Sequence, residues 1–370
     1  MRFQDHFSSP SGIYLLSHSV GPMTRAGLSA NQAFLKSWTE YGGDAWPEWL
    51  NFIDRFRLQL SLLLNCNKSY ICPQPSVSMA FTQWLSAACK SKPKKNKRVV
   101  MHQDAFPSMG FVVQGLAATY NLQLVLVKGP LNDTDVWQKE LEHPYTFCCL
   151  LTHVHSMTGE LCDVSRLSEL CQELGIMSVV DIAQSVGIID IDLDNWCVDA
   201  VVGSSVKWLS GGPGAGFLIT DVTDQVNLFP DHIGWFSHQN PFEFDILHFD
   251  AAPDALRFWG GTPDVLPFAI AGASISIINA IGVNNLATKN KTFQAMFLNQ
   301  LSNSKIDVNA IGGTICLPIK DEKTQACEQF LKDNRVRFDI RDAKLRLSFG
   351  AVCSTKDVLL VADLVTPYCK

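Results

Sequence analysis

Asp181 ends the apolar run Met177-Ser-Val-Val-Asp181. Lys207 follows a second run, Ala200-Val-Val-Gly-Ser-Ser-Val-Lys207, just before the turn Gly211-Gly-Pro-Gly214. A lysine between two apolar runs, here Ala200-Val-Val202 and Phe217-Leu-Ile219, is as a rule a solvated loop residue, because lysine is seldom buried without a partner. The rest of the chain argues the other way. Ser204 reaches the same strand edge as Lys207, so three polar groups can converge where the two runs stop. Upstream, Cys72-Pro-Gln-Pro-Ser-Val-Ser78 joins a strand to a helix, and the amides at that helix start suit an anion such as phosphate. Phe106 lies in the loop after another strand, and Thr152-His-Val-His-Ser156 after a third. One chemistry needs such a set. An aldehyde cofactor takes an amine to hold it as a Schiff base, a carboxylate to keep its ring nitrogen protonated, an anion cradle and a flat apolar side chain. That cofactor is pyridoxal phosphate, the electron sink for amino-acid carbanions.

Short apolar runs must position these residues. Strands are expected at Ser69–Cys72, Val99–His102, Gln123–Val127, Phe147–Thr152, Met177–Asp181, Ala200–Gly203 and Gly216–Thr220. Helix-length segments separate several of them, at Val77–Ala88, Gly110–Tyr120 and Val164–Leu174. This alternation predicts an α/β fold with a mostly parallel, seven-stranded sheet covered by helices. In such sheets the ligand site lies outside the carboxyl ends of the strands. After about Asp250 the pattern changes to a helix at Leu266–Ile281, a helix-like stretch at Thr324–Leu331, a strand at Leu345–Phe349 and a last segment at Lys356–Tyr368. We expect a large domain over residues 25–254 and a smaller α+β domain over 255–370, joined by an N-terminal segment, 1–24.

The chain has 370 residues, 47% hydrophobic and 18% charged, which allows two globular domains. Its net charge of -6 argues against a polyanion-binding protein. The basic run Lys90-Ser-Lys-Pro-Lys-Lys-Asn-Lys-Arg98 reads as a solvated connecting loop, so no nucleic-acid partner is expected. Twelve cysteines without paired CxxC units, many in apolar runs such as Phe147-Cys-Cys-Leu-Leu151, read as free thiols of a reducing compartment. Met1–His6 carries no signal-peptide core and no apolar run reaches the length of a membrane span, so a cytoplasmic protein without a membrane partner is expected.

The order Asp181-Ile-Ala-Gln184, Lys207, Gly211-Gly-Pro-Gly214 resembles the fold-type I pyridoxal-phosphate enzymes of the aminotransferase class V superfamily. Kynureninase-like proteins are the most similar. The likeness continues through Ile13-Tyr-Leu-Leu-Ser-His-Ser-Val-Gly-Pro22, Ala105-Phe-Pro-Ser108, Thr152-His-Val, Thr158-Gly-Glu160 and Gly234-Trp-Phe-Ser-His238. It covers nearly the whole chain in matching order. The resemblance implies that Lys207 carries the cofactor and Asp181 pairs with the pyridine nitrogen, while Phe106 stacks on the ring. It implies that Pro75, Ser76 and Ser204 surround the phosphate with Trp235 near it, and that Gln184 meets the ring hydroxyl. Arg346, in Lys344-Leu-Arg-Leu-Ser348, matches the arginine that grips a substrate's α-carboxylate, a task suited to a planar fork. His18 and His155 fall on the substrate side.

Some positions depart from the kynureninase pattern. Trp259-Gly-Gly-Thr-Pro263 stands where that family has a Ser-Asn pair before a proline. Gly43 stands near the place of a histidine, and Met109 replaces an aspartate. Gly261-Thr262 instead resembles the Gly-Thr of cysteine desulfurases and isopenicillin N epimerases, where the pair comes from the partner subunit. That implies a homodimer with shared active sites. Desulfurases carry a nucleophilic cysteine shortly before the carboxylate-binding arginine, and Asn334–Leu345 contains none, which disfavours persulfide chemistry. The expected function is a lyase acting on a small amino-acid substrate through a Cα carbanion, either kynureninase-like or breaking the C–S bond of a cysteine conjugate or sulfoxide. An aminotransferase or epimerase, or a non-catalytic protein on the same fold, are the alternatives. A zinc site on His153, His155 and a cysteine lacks a partner set at ligand spacing, so no metal is expected.

Overall fold

The computed structural model describes residues 3–92, 96–223, 228–301 and 311–369. The N-terminal segment contributes a short strand, β1 (Ile13–Tyr14). Helices α1 (Arg25–Tyr41) and α2 (Trp46–Leu64) follow. Seven strands then build the main sheet: β2 (Ile71–Gln74), β3 (Lys97–His102), β4 (Leu122–Val127), β5 (Thr146–Thr152), β6 (Met177–Asp181), β7 (Ala200–Ser204) and β8 (Gly216–Ile219). Their order across the sheet is β2-β8-β7-β6-β5-β3-β4. Only β8 runs against its neighbours, so β2, β3, β5, β6 and β7 all end at one edge.

Between the strands lie α3 (Val77–Ser91), α4 (Pro107–Tyr120), α5 (Thr134–Leu141) and α6 (Val164–Glu173). With helices on both faces, β5 and β6 are buried along their whole length, which is why they are continuous apolar runs. Successive residues of a strand serve opposite faces. Val99, Met101, Cys148 and Leu150 pack with Phe81 and Trp84 on one side, while Val100, Cys149 and Leu151 pack with Trp137 on the other.

The basic run is not simply a loop. Lys90 belongs to the last turn of α3, and Lys97 and Arg98 open β3 and are buried. Each finds the partner that burial demands. Lys97 Nζ donates to the Cys89 carbonyl (2.9 Å), and Arg98 pairs with Glu140. Residues 93–95 of the run lie outside the described residues.

The remaining elements are α7 (Leu266–Ile281), α8 (Val283–Gln300), β9 (Thr314–Pro318), α9 (Thr324–Asp333), β10 (Val336–Arg337), β11 (Asp339–Arg341), β12 (Lys344–Ser348) and α10 (Thr355–Val365). β11, β12 and β9 form an antiparallel sheet, and β10 pairs with β1. Packing does not change at the expected boundary of 254/255. α7 lies on α1 and α2, with Phe268 against Phe56 (ring centroids 5.0 Å apart), inside the core of the large sheet. A separate core begins at Phe293 and holds Leu15, Ile315, Leu331, Leu347 and Val361. No single described helix is long and apolar enough to cross a membrane.

Candidate active site

The shared strand edge carries a cavity of about 270 Å³. Each strand that ends there sends residues into its wall. β2 hands over to Pro75 and Ser76, and Ser76 caps α3 by accepting from the Met79 amide (3.2 Å). Phe106 follows β3 and is held by the start of α4, where Pro107 fits the first turn. β5 contributes Thr152, β6 Asp181 and then Gln184, and β7 Ser204 and then Lys207.

Lys207 Nζ lies 5.9 Å from the Phe106 ring centroid. It has no hydrogen bond or ion pair among the described residues. The turn beyond it needs left-handed backbone at Gly212 (φ 72°) and Gly214 (φ 93°), which suits glycine. Gly21 of the N-terminal segment closes over this turn. Its amide donates to the Val206 carbonyl (2.8 Å), and a Cβ there would stand 2.1 Å from the Lys207 carbonyl oxygen.

The electrostatics are those of a buried amine and a buried acid. Burial lowers the Lys207 pKa; Asp181 opposes that shift, and the charges of Arg346 and Arg341 add to it. Burial raises the Asp181 pKa, opposed by Lys207 and by the Ala183 amide, which donates to Oδ1 (2.8 Å). One further group sequence reasoning did not single out. The Thr152 hydroxyl is buried in the cavity wall without a hydrogen-bond partner among the described residues. Ser108, Met109, Val154, Ser156 and Val206 also line the wall.

Other expected site residues lie outside this cavity. Arg346 is buried on β12, not on a strand surface, and its Nη1 donates to Asp339 Oδ2 (2.9 Å). β11 places Asp339 directly opposite it, a cross-strand partner that the sequence does not advertise. His18 joins the same group, with Nε2 3.3 Å from Asp339 Oδ1 and Nδ1 3.0 Å from Ser348 Oγ. Burial pushes the His18 pKa down to about 4. His155 does not face the cavity; its ring meets His102 edge to face, centroids 4.9 Å apart. Trp235 donates from Nε1 to Thr262 Oγ1 (3.2 Å), and Gly261 beside it is open on its Cβ side. Trp235 belongs to an aromatic cluster with Trp46, Phe242 and Phe244, and neither it nor Gly261 nor Thr262 lines the Lys207 cavity of the same chain.

An unpaired amine, a buried carboxylate, an orphan hydroxyl, an aromatic face and a capped helix start fit pyridoxal phosphate. Fold and site together define a fold-type I pyridoxal-phosphate enzyme. The model of the aminotransferase class-V family matches residues 76–339, and the chain belongs to that family. It is 28% identical to a kynureninase of Bacillus anthracis over 337 residues, 87% of this chain and 77% of that one. It is 26% identical to the uncharacterized aminotransferase YcbU of Bacillus subtilis (strain 168), over 83% of this chain and 81% of that one. Among solved structures, the cystine C–S lyase C-DES in complex with cysteine persulfide shares the fold. Its TM-score is 0.87 at 16% identity, covering 97% of this chain and 98% of that one.

Proposed function

We propose that the protein is a pyridoxal-phosphate-dependent lyase that breaks a side-chain bond of a small α-amino acid, with the C–S bond of a cysteine conjugate or its sulfoxide as the preferred target. The observation that carries this reading is Lys207. It is the sole amine in the cavity wall, without a partner among the described residues, and its pKa is lowered by burial. Pyridoxal phosphate supplies the electron sink for negative charge at Cα. Lys207 Nζ removes and returns the Cα proton. Asp181 presents a fixed negative charge to the ring nitrogen, and Phe106 offers a flat face. The α3 start with Ser76, and Ser204 across from it, hold the phosphate. Arg346 exchanges Asp339 for the substrate's α-carboxylate, a like-for-like replacement that leaves the buried guanidinium paired.

The wall favours a compact, sulfur-bearing side chain. Met109 is buried and lines the cavity where a kynureninase-like aspartate is expected. Gly43 lies in the exposed turn between α1 and α2, with open space on its Cβ side. Trp259-Gly-Gly261 stands in place of the Ser-Asn pair that would hold an aryl ketone, and Gly43 in place of the histidine that would meet its ring, so two contacts worth about 1–3 kcal/mol each are missing. Kynurenine should show a kcat/KM roughly a hundredfold or more below that of a true kynureninase. The measurement is anthranilate and alanine release from kynurenine beside pyruvate release from S-substituted cysteines and their sulfoxides. Efficient anthranilate production would refute the reading.

The same reading includes a homodimer in a reducing, cytoplasmic setting. All twelve cysteines are free thiols. Ile246 and Leu247 are 97% and 83% exposed beside the Trp235 cluster, an apolar surface that a second copy would cover. Gly261 and Thr262 would then complete the phosphate site of the other chain. Sedimentation of the cofactor-loaded protein should give a dimer. A fully occupied, fully active monomer would rule the shared site out.

A further inference from the structure

The loops after β3 and β5 meet a second time, outside the cavity. His102 closes β3, Asp104 follows it, and His155 stands in the loop after β5. One ligating atom from each lies within 4.8 Å of the other two. His102 is held for metal binding in the manner of many metal-bound imidazoles. Its Nε2–H donates to the Gly129 carbonyl (3.0 Å), which leaves the lone pair on Nδ1. Nδ1 accepts only a long bond from the Asp104 amide (3.2 Å), and Asp104 Oδ2 is 3.8 Å away.

His155 supplies the independent sign of a missing ligand. It is 1% exposed, and Nε2 has no hydrogen-bond partner among the described residues. Such a buried orphan is costly unless something fills it. We propose that His102 Nδ1, Asp104 and His155 Nε2 form a binding site for a divalent transition metal, zinc by preference. Two imidazoles and a carboxylate are a zinc donor set, with water as fourth ligand. Bonds of about 2.0–2.1 Å set tetrahedral ligand atoms roughly 3.3 Å apart, so the carboxylate must draw inward. Asp104 can do so, because its side chain is 39% exposed. The long bond from its amide to His102 gives way in exchange.

The site's place suggests its role. Asp104 lies two residues before Phe106, and His155 lies between Val154 and Ser156, which line the Lys207 cavity. A bound ion ties the loop carrying Phe106 to the loop carrying Val154 and Ser156. It braces the cavity without entering it.

The test uses full-length, cofactor-loaded protein, stripped with chelator and titrated with zinc. Elemental analysis should find one zinc per chain, and X-ray absorption should show nitrogen and oxygen neighbours only. His155→Gln should weaken binding by more than the roughly 10–100-fold typical of outer-shell changes. Asp104→Asn, a half-exposed change that leaves the core intact, should weaken it roughly tenfold or more. A sulfur shell would place zinc on the thiols and overturn the proposal, and so would substoichiometric binding. Unchanged affinity in either variant would do the same, and Asp104→Asn decides alone if His155→Gln fails to fold.

Discussion

Lys207→Ala is expected to abolish borohydride-stable attachment of the cofactor and to cut turnover by at least roughly 10²–10⁴-fold, the contribution of a positioned general base. Peptide mapping of the reduced wild-type protein should place the label on Lys207. A label that persists on another lysine in the variant would sink the assignment. A second signature comes from pH. Burial lowers the folded-state pKa of Lys207, so the unfolded chain binds that proton more readily. For the cofactor-free protein, this group's contribution to stability therefore rises with pH between the lowered folded value and the unfolded value of 10.5. That component should vanish in Lys207→Ala, as seen by melting the two cofactor-free proteins across alkaline pH.

Asp181→Asn should keep the cofactor bound and nearly inactive. The amide preserves shape and can still accept from the Ala183 amide, but it offers no charge to the ring nitrogen. Removing one partner of a buried charge pair costs about 3–5 kcal/mol. At 1.36 kcal/mol per tenfold, turnover should fall by roughly 10²–10⁴. Cofactor absorbance reports retention and product release reports rate. Near wild-type turnover with full occupancy would contradict the role.

The main sheet was legible because a strand buried on both faces has no choice but to be apolar. All seven expected runs are strands, shifted by at most a few residues. β3 begins before Val99 because Lys97 and Arg98 are buried by partners brought in from other elements, Cys89 and Glu140. A charge run cannot announce them. Asp181, Ser204 and Lys207 were legible for the same topological reason, since strand ends of one sheet must share an edge. Side-chain parity was harder to read. In the run from Thr152 to Ser156 the even positions line the cavity, and His153 and His155 point elsewhere. His153 meets Ser185 Oγ (2.9 Å) and His155 meets His102. The proposed zinc set was not legible because His155 has its partners, His102 and Asp104, about fifty residues away in sequence, at the end of β3 and in the loop after it. Asp339 escaped notice because its bond to Arg346 exists only once β11 and β12 are in register.

The N-terminal segment links the two halves of the site by covalent chain. β1 is paired with β10, Leu15 accepts from the Ser348 amide (3.0 Å), and Gly21 is locked onto the Lys207 turn. Between those two anchor points run only about six peptide steps, which at ~3.6 Å each cap their separation at roughly 22 Å. The segment is thus a tether, and part of its length is taken up in the turn that the Ser19 and Val20 amides close onto the Leu16 carbonyl. It caps how far Leu15, bonded to the Ser348 that ends the Arg346 strand, can stand from the Lys207 turn while both contacts hold.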